Sequence, residues 1–226
     1  MTGAVLSCSH VTKRFVSRGK TTEVLRDVSL AVGPDQIVVI RGRSGTGKST
    51  LLQILAGLDR PTTGRVEIAG RSVEDLTARE VMTMRRQTLG FIFQNLNLIP
   101  CWTAGQNVES ALIYTRLTRS ERRQRVQDML ERLGLGDRID YLPSELSAGQ
   151  QQRVAVARAL IHAPVLVFAD EPTGDVDPET ATSIMGSLAG LVRANGTALV
   201  ICTHGELPRE SANHYYTLHD GTITPA

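Results

Sequence analysis

The chain has 226 residues, of which 41% are hydrophobic, and its 25 basic and 23 acidic residues leave a net charge of +2. This length and hydrophobic content suffice for one large α/β domain or two small ones. The near balance of charge argues against nucleic acid as the main partner. Three cysteines, far apart and without metal-like spacing, indicate reduced thiols in a cytosolic protein.

The N-terminus lacks the charged start and long apolar stretch of a signal peptide. No run approaches the roughly 20 apolar residues that are needed to cross a bilayer. We therefore expect any membrane role to depend on a partner.

Two segments, 4–12 and 24–32, alternate apolar and polar residues and predict two strands of an antiparallel layer. Residues 13–19 between them predict a polar turn that contains Phe15. A single phenylalanine is more often a core anchor than a ligand platform. If the chain downstream binds a nucleotide, as the pattern at residues 42–49 described next indicates, its ring could instead stack on a base.

A glycine-rich loop follows an apolar strand at 36–41 and precedes a helical apolar pattern that begins at Leu51. Residues 42–49 fit the pattern G-x-x-x-x-G-K-[ST], in which small residues let successive backbone N–H groups turn toward one anion. The next helix presents its N-terminus to the same anion. A plain glycine turn is the weaker alternative, because both flanking elements are in place. The candidate phosphate-binding residues are Gly42, Arg43, Ser44, Gly45, Thr46, Gly47, Lys48, Ser49 and Thr50.

The middle of the chain begins with a short predicted strand at 64–70 and a predicted helix at 77–87. A buried strand at 89–94 then ends on Gln94. This side chain is either a satisfied amide at a strand end or a ligand for metal and water in a cleft. Its spacing alone favours the first alternative.

Residues 95–102 are apolar without helical or strand period, and they include the only tryptophan. Such a loop either folds back on the core or exposes a patch for a partner. We favour the patch, because aromatic and aliphatic side chains in an irregular segment are typical of docking anchors.

Residues 95–160 carry no strand signal and predict a helical subdomain inserted in the α/β core. Thr118 and Glu121 form a capping box for one helix, which Gly134 ends. A similar start, Ser147 to Gln150, opens another helix. Its N-terminus is either simply well capped or a second anion-binding site.

Acidic residues follow the continuous apolar strand at 165–169, which delivers Asp170 and Glu171 to its carboxyl end. Ligands of open α/β sheets bind at that edge. A cation with a water to activate would account for both carboxylates. Asp177 caps the next helix, and a buried strand at 197–203 ends on His204. A lone histidine is usually structural, but this one reaches the same edge as Asp170.

Together these segments resemble an ATP-binding cassette (ABC) ATPase over nearly the whole chain, from Phe15 to Gly221. Residues 42–49 match the Walker A loop, Gln94 the Q-loop, 146–150 the family signature, 165–170 Walker B, 174–177 the D-loop and His204 the H-loop. The sequence of residues 89–100 is similar to that of the family branch that serves lipoprotein release, macrolide export and peptide export.

The resemblance implies a P-loop NTPase fold of the ABC type in a single α/β domain, 1–226. A mostly parallel core sheet with an N-terminal antiparallel β layer would comprise about 1–94 and 161–226, and the helical signature subdomain about 95–160.

It also implies ATP and Mg²⁺ as ligands. Lys48 and the loop amides would neutralise the β- and γ-phosphates, and Phe15 would stack on adenine. Glu171 would be the general base and His204 would steady the γ-phosphate. The implied metal ligands are Ser49, Asp170 and Gln94, and Gln94 would also position the water.

A second copy would complete each site in a homodimer. Ser147, Ala148, Gly149 and Gln150 of one copy would reach the γ-phosphate of the other, with Asp177 at the seam. The signature commonly has two glycines, and here the first is Ala148. Its methyl group is harmless if the residue is helical but obstructive if it requires φ > 0. Residues 205–210 also depart from the sequence that commonly follows the H-loop histidine.

The function implied is an ATPase subunit that powers membrane permease subunits on separate chains, from the inner face of the cell membrane. We expect those subunits to dock near Leu96, Leu98, Ile99 and Trp102. The alternative is a regulatory ATPase of the cell-division type, which acts on a membrane partner without moving substrate. Transport by a reconstituted complex would discriminate between the two.

Overall fold

The computed structural model describes residues 3–174, 176–205 and 211–226. The strands are β1 (Leu6–Ser17), β2 (Lys20–Val32), β3 (Ile37–Arg41), β4 (Thr63–Ile68), β5 (Arg71–Ser72), β6 (Leu89–Ile92), β7 (Leu166–Asp170), β8 (Ala198–Thr203), β9 (His214–His219) and β10 (Thr222–Pro225). The α-helices are α1 (Lys48–Leu55), α2 (Ala78–Thr88), α3 (Ala104–Glu109), α4 (Arg119–Arg132), α5 (Ala148–Leu160) and α6 (Pro178–Ala194).

The core sheet has six strands in the order β10-β9-β3-β8-β7-β6, and only β10 runs antiparallel to its neighbour. Strands β3, β7 and β8 are apolar and almost fully buried, as expected for parallel strands that are covered on both faces. Their register places Arg41 beside Thr203, and Asp170 beside Cys202. The carboxyl ends of three neighbouring strands therefore meet at one edge of the sheet.

A second sheet, antiparallel, has the order β2-β1-β4-β5. The prediction of a turn at 13–19 was wrong, because β1 continues to Ser17 and pairs Phe15 with Thr22 of β2. This end of the hairpin is largely exposed on both faces, so its sequence does not alternate between apolar and polar residues. Phe15 therefore lies in a strand and is 44% exposed.

The strand predicted at 89–94 is shorter than expected, since β6 ends at Ile92. Gln94 consequently lies in the turn after the strand rather than at its end.

Helices α3, α4 and α5 follow one another between β6 and β7, and the described residues between those two strands include no β-strand. The capping boxes predicted at Thr118 and Ser147 are both present. Gly134 adopts φ 71° just after α4, which allows the chain to turn where the helix ends. The buried faces of these helices join one apolar cluster with residues of β3, β7 and β8, so the helical segment packs directly on the sheet.

Within the part of the chain that the structure describes, no helix combines the length and apolar character required to span a bilayer.

Candidate functional site

The phosphate-binding loop joins the end of β3 to the start of α1. Gly45 and Gly47 adopt φ values of 79° and 100°, which favour glycine over residues with a side chain. A Cβ at Gly47 would also lie 2.9 Å from a methyl carbon of Val24. Helix α1 has no side-chain cap at its N-terminus, so its first N–H groups face the loop without a side-chain acceptor. This geometry suits an anion.

Lys48 is only 7% exposed, although it carries a charge. Its ammonium group donates to the carbonyl oxygens of Gly42 at 2.8 Å and Arg43 at 3.1 Å. The loop thus holds a cation beside its own N–H groups, where phosphate oxygens would bind.

Asp170, the last residue of β7, lies next to this cation. Burial raises the pKa of its carboxyl group, while a hydrogen bond from Ser49 acts in the opposite direction. Its Oδ1 atom is buried and has no hydrogen-bond partner among the described residues. A buried carboxylate oxygen without a donor, together with a hydroxyl, fits a hard divalent cation such as Mg²⁺.

Glu171 follows in the left-handed region, at φ 46°. Its Oε1 lies 2.9 Å from Nδ1 of His204 and 3.6 Å from Nζ of Lys48. Its Oε2 accepts hydrogen bonds from the hydroxyl of Thr203 at 2.9 Å and from the backbone N–H of His204 at 3.2 Å. Burial alone would raise the pKa of Glu171, but these hydrogen bonds outweigh it and the net shift is downward. The carboxylate is therefore charged at neutral pH.

A cleft of about 610 Å³ brings most of the predicted nucleotide-site residues together. It is lined by Val24, Ser44, Gly45, Gly47, Lys48, Ser49, Thr50, Gln94, Glu171 and His204. Gly42, Arg43 and Thr46 belong to the same loop but do not line the cleft. Asp170 does not line it either, although it interacts with two residues that do, Ser49 and Lys48. Phe15 does not line the cleft either, whereas Val24 on the neighbouring strand does.

The predicted signature residues line a different cleft, of about 440 Å³. Its lining is Ser147, Ala148, Gly149, Gln150, Arg153, Val176, Asp177 and Thr180. Ser147 caps α5 and Asp177 caps α6, so two helix N-termini meet at this surface. The two clefts have no lining residue in common.

Ala148 is the first residue of α5 and does not have a positive φ, so its methyl group fits the helix. The next position is tighter, because a Cβ at Gly149 would lie 2.7 Å from a methyl carbon of Thr180. Of the D-loop residues, Asp175 lies outside the described residues, as do residues 206–210 after the H-loop histidine.

Residues 95–102 are irregular, as predicted, and buried polar groups hold them in place. Asn107, 1% exposed, bonds to both backbone groups of Ile99 and to the carbonyl of Trp102. Arg158 donates to the carbonyls of Leu96 and Asn97. Ile99 is 37% exposed, whereas Leu98 packs against the core cluster. The apolar segment therefore folds back at one residue and exposes another.

Sequence reasoning missed a groove of about 360 Å³ beside this segment, between the core sheet and the helices. Phe91, Phe93, Tyr114 and Arg158 are among its lining residues, and Tyr114 is 66% exposed beneath the guanidinium of Arg86. The alternation of Phe91 and Phe93 was the available signal. Thr203 was missed as well, although it is a hydroxyl residue next to His204 at the same strand end.

The parallel sheet, the phosphate loop and the carboxylates at the end of β7 define a P-loop nucleoside triphosphatase. The chain belongs to the ABC transporter family, whose model matches residues 25–174. It is an ATP-binding, ATP-hydrolysing cassette with the ABC ATPase fold.

Relatives of two architectures are similar to the chain. The macrolide export ATP-binding/permease protein MacB of Salmonella typhimurium is 42% identical over 220 residues, which are 97% of this chain and 34% of MacB. The chain thus spans about a third of the length of the MacB relatives that it matches. The uncharacterized ABC transporter ATP-binding protein YknY of Bacillus subtilis is 38% identical over 98% of this chain and 96% of its own length.

The solved structure of the ATP-binding cassette MJ0796, a dimer in a post-hydrolysis state bound to ADP and Pi, superposes with a TM-score of 0.89. It is 37% identical, and the match covers 96% of each chain.

Proposed function

We propose that two copies of this cassette close around ATP and that the cycle of closure and hydrolysis powers an export-type membrane transporter. The observation that carries the proposal is the division of the predicted site between two clefts of one chain. The phosphate loop, Glu171 and His204 line one cleft, and Ser147 to Gln150 line the other. A homodimer that pairs the first cleft of one copy with the second cleft of its partner brings both sets of groups to each nucleotide.

Within each cleft the chemistry follows from charge and geometry. The ammonium of Lys48 and the N–H groups of the loop stabilise negative charge on the phosphates. Glu171 accepts the proton of the attacking water, and His204 lies within reach of the γ-phosphate that this water attacks. Gln94, exposed at the rim of the cleft, positions the water, and Phe15 stacks on adenine.

Ser49 and Asp170, with Gln94, would hold Mg²⁺, which neutralises charge on the β- and γ-phosphates when it is bound. The buried Oδ1 of Asp170, which has no partner among the described residues, supports this assignment.

Residues 95–160 act as a helical subdomain that carries both the signature and the docking segment, residues 96–102. Ile99 and Trp102 of this segment contact permease subunits, and Leu96 and Leu98 support the conformation of the segment. The apolar groove beside the segment extends the same surface. MacB, in which an ATP-binding part and a permease form one protein, supports the assignment of export. The permease partner would then hold the cassette at the cytoplasmic face of the membrane.

The substitution Glu171→Gln tests whether Glu171 is the general base. It keeps the size of the side chain and one acceptor oxygen but removes the charge that accepts a proton. We expect ATP affinity within about twofold of wild type and a loss of turnover of about 100-fold or more. Steady-state phosphate release and binding of a fluorescent ATP analogue measure the two quantities.

Glu67→Gln is the matched control, because Glu67 is an exposed carboxylate on β4, away from the cleft. It should leave both quantities unchanged. Turnover of Glu171→Gln near the wild-type rate would show that Glu171 is not the base.

Purification of the tagged wild-type chain from detergent-solubilised membranes tests the transporter assignment. We expect a permease to co-purify, and the reconstituted complex to move substrate on ATP hydrolysis. Turnover without substrate movement would favour a regulatory role.

A further inference from the structure

The two carboxylate oxygens of Glu171 contact groups of different kinds. Oε1 faces two cationic or ionisable side chains, Lys48 and His204, at 3.6 Å and 2.9 Å. Oε2 faces the hydroxyl of Thr203 and the backbone N–H of His204, at 2.9 Å and 3.2 Å.

The contacts of Oε1 involve the groups that a bound nucleotide would contact. Lys48 and His204 both line the phosphate cleft, and the His204 side chain is 65% exposed. Phosphate oxygens attract both groups away from Glu171. The contacts of Oε2 are fixed, because Thr203 is the last residue of β8, is 6% exposed and pairs with Arg41 of β3.

The orientation of the Thr203 hydroxyl follows from its second hydrogen bond. Its Oγ1 accepts from the backbone N–H of Gly205 at 3.0 Å, which leaves the hydroxyl proton to be donated to Oε2 of Glu171. The backbone of Glu171 adopts the left-handed conformation, which is unfavourable for residues with a side chain. The N–H of Glu171 donates to the carbonyl of Cys202 at 2.8 Å. Glu171 is thus tethered to the end of β8 through both its backbone and Oε2.

We propose that Thr203 is the positioning residue of the general base. It holds Oε2, so that Oε1 is directed at the attacking water once the nucleotide engages Lys48 and His204. This inference rests on the proposed function, in which Glu171 is the base. In that reaction the water oxygen bonds to the γ-phosphorus and its proton passes to Oε1. The bond from the γ-phosphorus to the β–γ bridging oxygen breaks, and ADP retains the electron pair.

The test compares Thr203→Val with Thr203→Ser. Valine keeps the shape of threonine but cannot donate to Oε2, whereas serine keeps the hydroxyl. We expect Thr203→Val to lower kcat about tenfold or more, with KM and the Kd for ATP within about twofold of wild type. Thr203→Ser should retain kcat within about threefold. If the valine variant does not fold, Thr203→Ala carries the same expectation.

Thr197→Val is the matched control. Thr197 is 1% exposed, immediately precedes β8, and donates its hydroxyl proton to the carbonyl of Pro164 at 2.8 Å, away from the cleft. Any loss of stability from a buried hydroxyl should appear there too, while kcat stays unchanged.

A Thr203→Val enzyme with wild-type kcat, beside an inactive Glu171→Gln enzyme, would overturn the inference and leave the base in place. A serine variant as slow as the valine variant, or an equal loss of ATP affinity in Thr203→Val, would also overturn it. Full turnover in Glu171→Gln would instead refute the base itself and remove the ground for a positioning residue.

Discussion

Asn107 connects the docking segment to the helical region, and its replacement by leucine tests whether that segment is held in one conformation. The side chain accepts from the N–H of Ile99 at 2.7 Å and approaches three carbonyls, those of Ile99, Trp102 and Thr103, at 3.0 to 3.2 Å. Its two amide protons must serve all three. Leucine has a similar volume, so the change removes hydrogen bonds without opening a large cavity.

The cost can be worked out group by group. The carbonyls of Ile99 and Thr103 keep backbone donors, Trp102 N–H at 3.1 Å and Asn107 N–H at 2.9 Å. The loss therefore falls on the N–H of Ile99 and the carbonyl of Trp102. An unsatisfied buried polar group costs about 1–3 kcal/mol, and the lower end applies here because the segment is partly exposed. We expect Asn107→Leu to lower the free energy of unfolding by about 2 kcal/mol.

The only tryptophan of the chain, Trp102, reports on the segment directly. Denaturant unfolding followed by circular dichroism measures global stability, and the emission wavelength of Trp102 in the native state measures its exposure. We expect a lower midpoint and emission at longer wavelength in Asn107→Leu. Asn95→Leu, at an exposed position immediately before the docking segment, is the control and should change neither. Unchanged stability and emission in Asn107→Leu would refute the reasoning.

Two further predictions concern the signature and the docking surface. Ala148→Gly should leave turnover within about twofold of wild type, because the methyl group already fits α5. Gly149→Ala should slow turnover and weaken ATP-dependent dimerisation, because its Cβ would meet Thr180. Phosphate release measures turnover in both variants, and a large gain of activity in Ala148→Gly would contradict the prediction for Ala148. Ile99→Asp should abolish co-purification with a membrane partner while basal ATPase activity is retained, whereas Val16→Asp, exposed on the β1–β2 hairpin, should not; retained co-purification of the Ile99 variant would count against this docking surface.

The phosphate loop and the strand before Asp170 could be predicted because their signals are local. A strand that is buried on both faces has a continuous apolar run, and a glycine loop between strand and helix has few other uses. Capping boxes are equally local, so the starts of α4 and α5 were predicted to the residue.

Other features depend on contacts between distant segments. The hairpin end near Phe15 is a strand because it pairs with β2, although neither face is buried enough to impose alternation. Whether Ala148 tolerates its methyl group depended on where α5 begins. The role of Thr203 depends on Glu171, which is 32 residues away in sequence.

The central claim is that each nucleotide site requires two copies of the chain, and sedimentation of Glu171→Gln tests it most directly. Because hydrolysis is blocked, the ATP-bound dimer should persist. We predict a monomer without nucleotide, a dimer with ATP, and a monomer with ATP when Ser147→Arg is added, since arginine would obstruct the second cleft.

Binding of the fluorescent ATP analogue should survive in this double variant, because the phosphate loop is untouched. A Glu171→Gln protein that stays monomeric with saturating ATP, or a dimer that the Ser147 substitution leaves intact, would contradict the account.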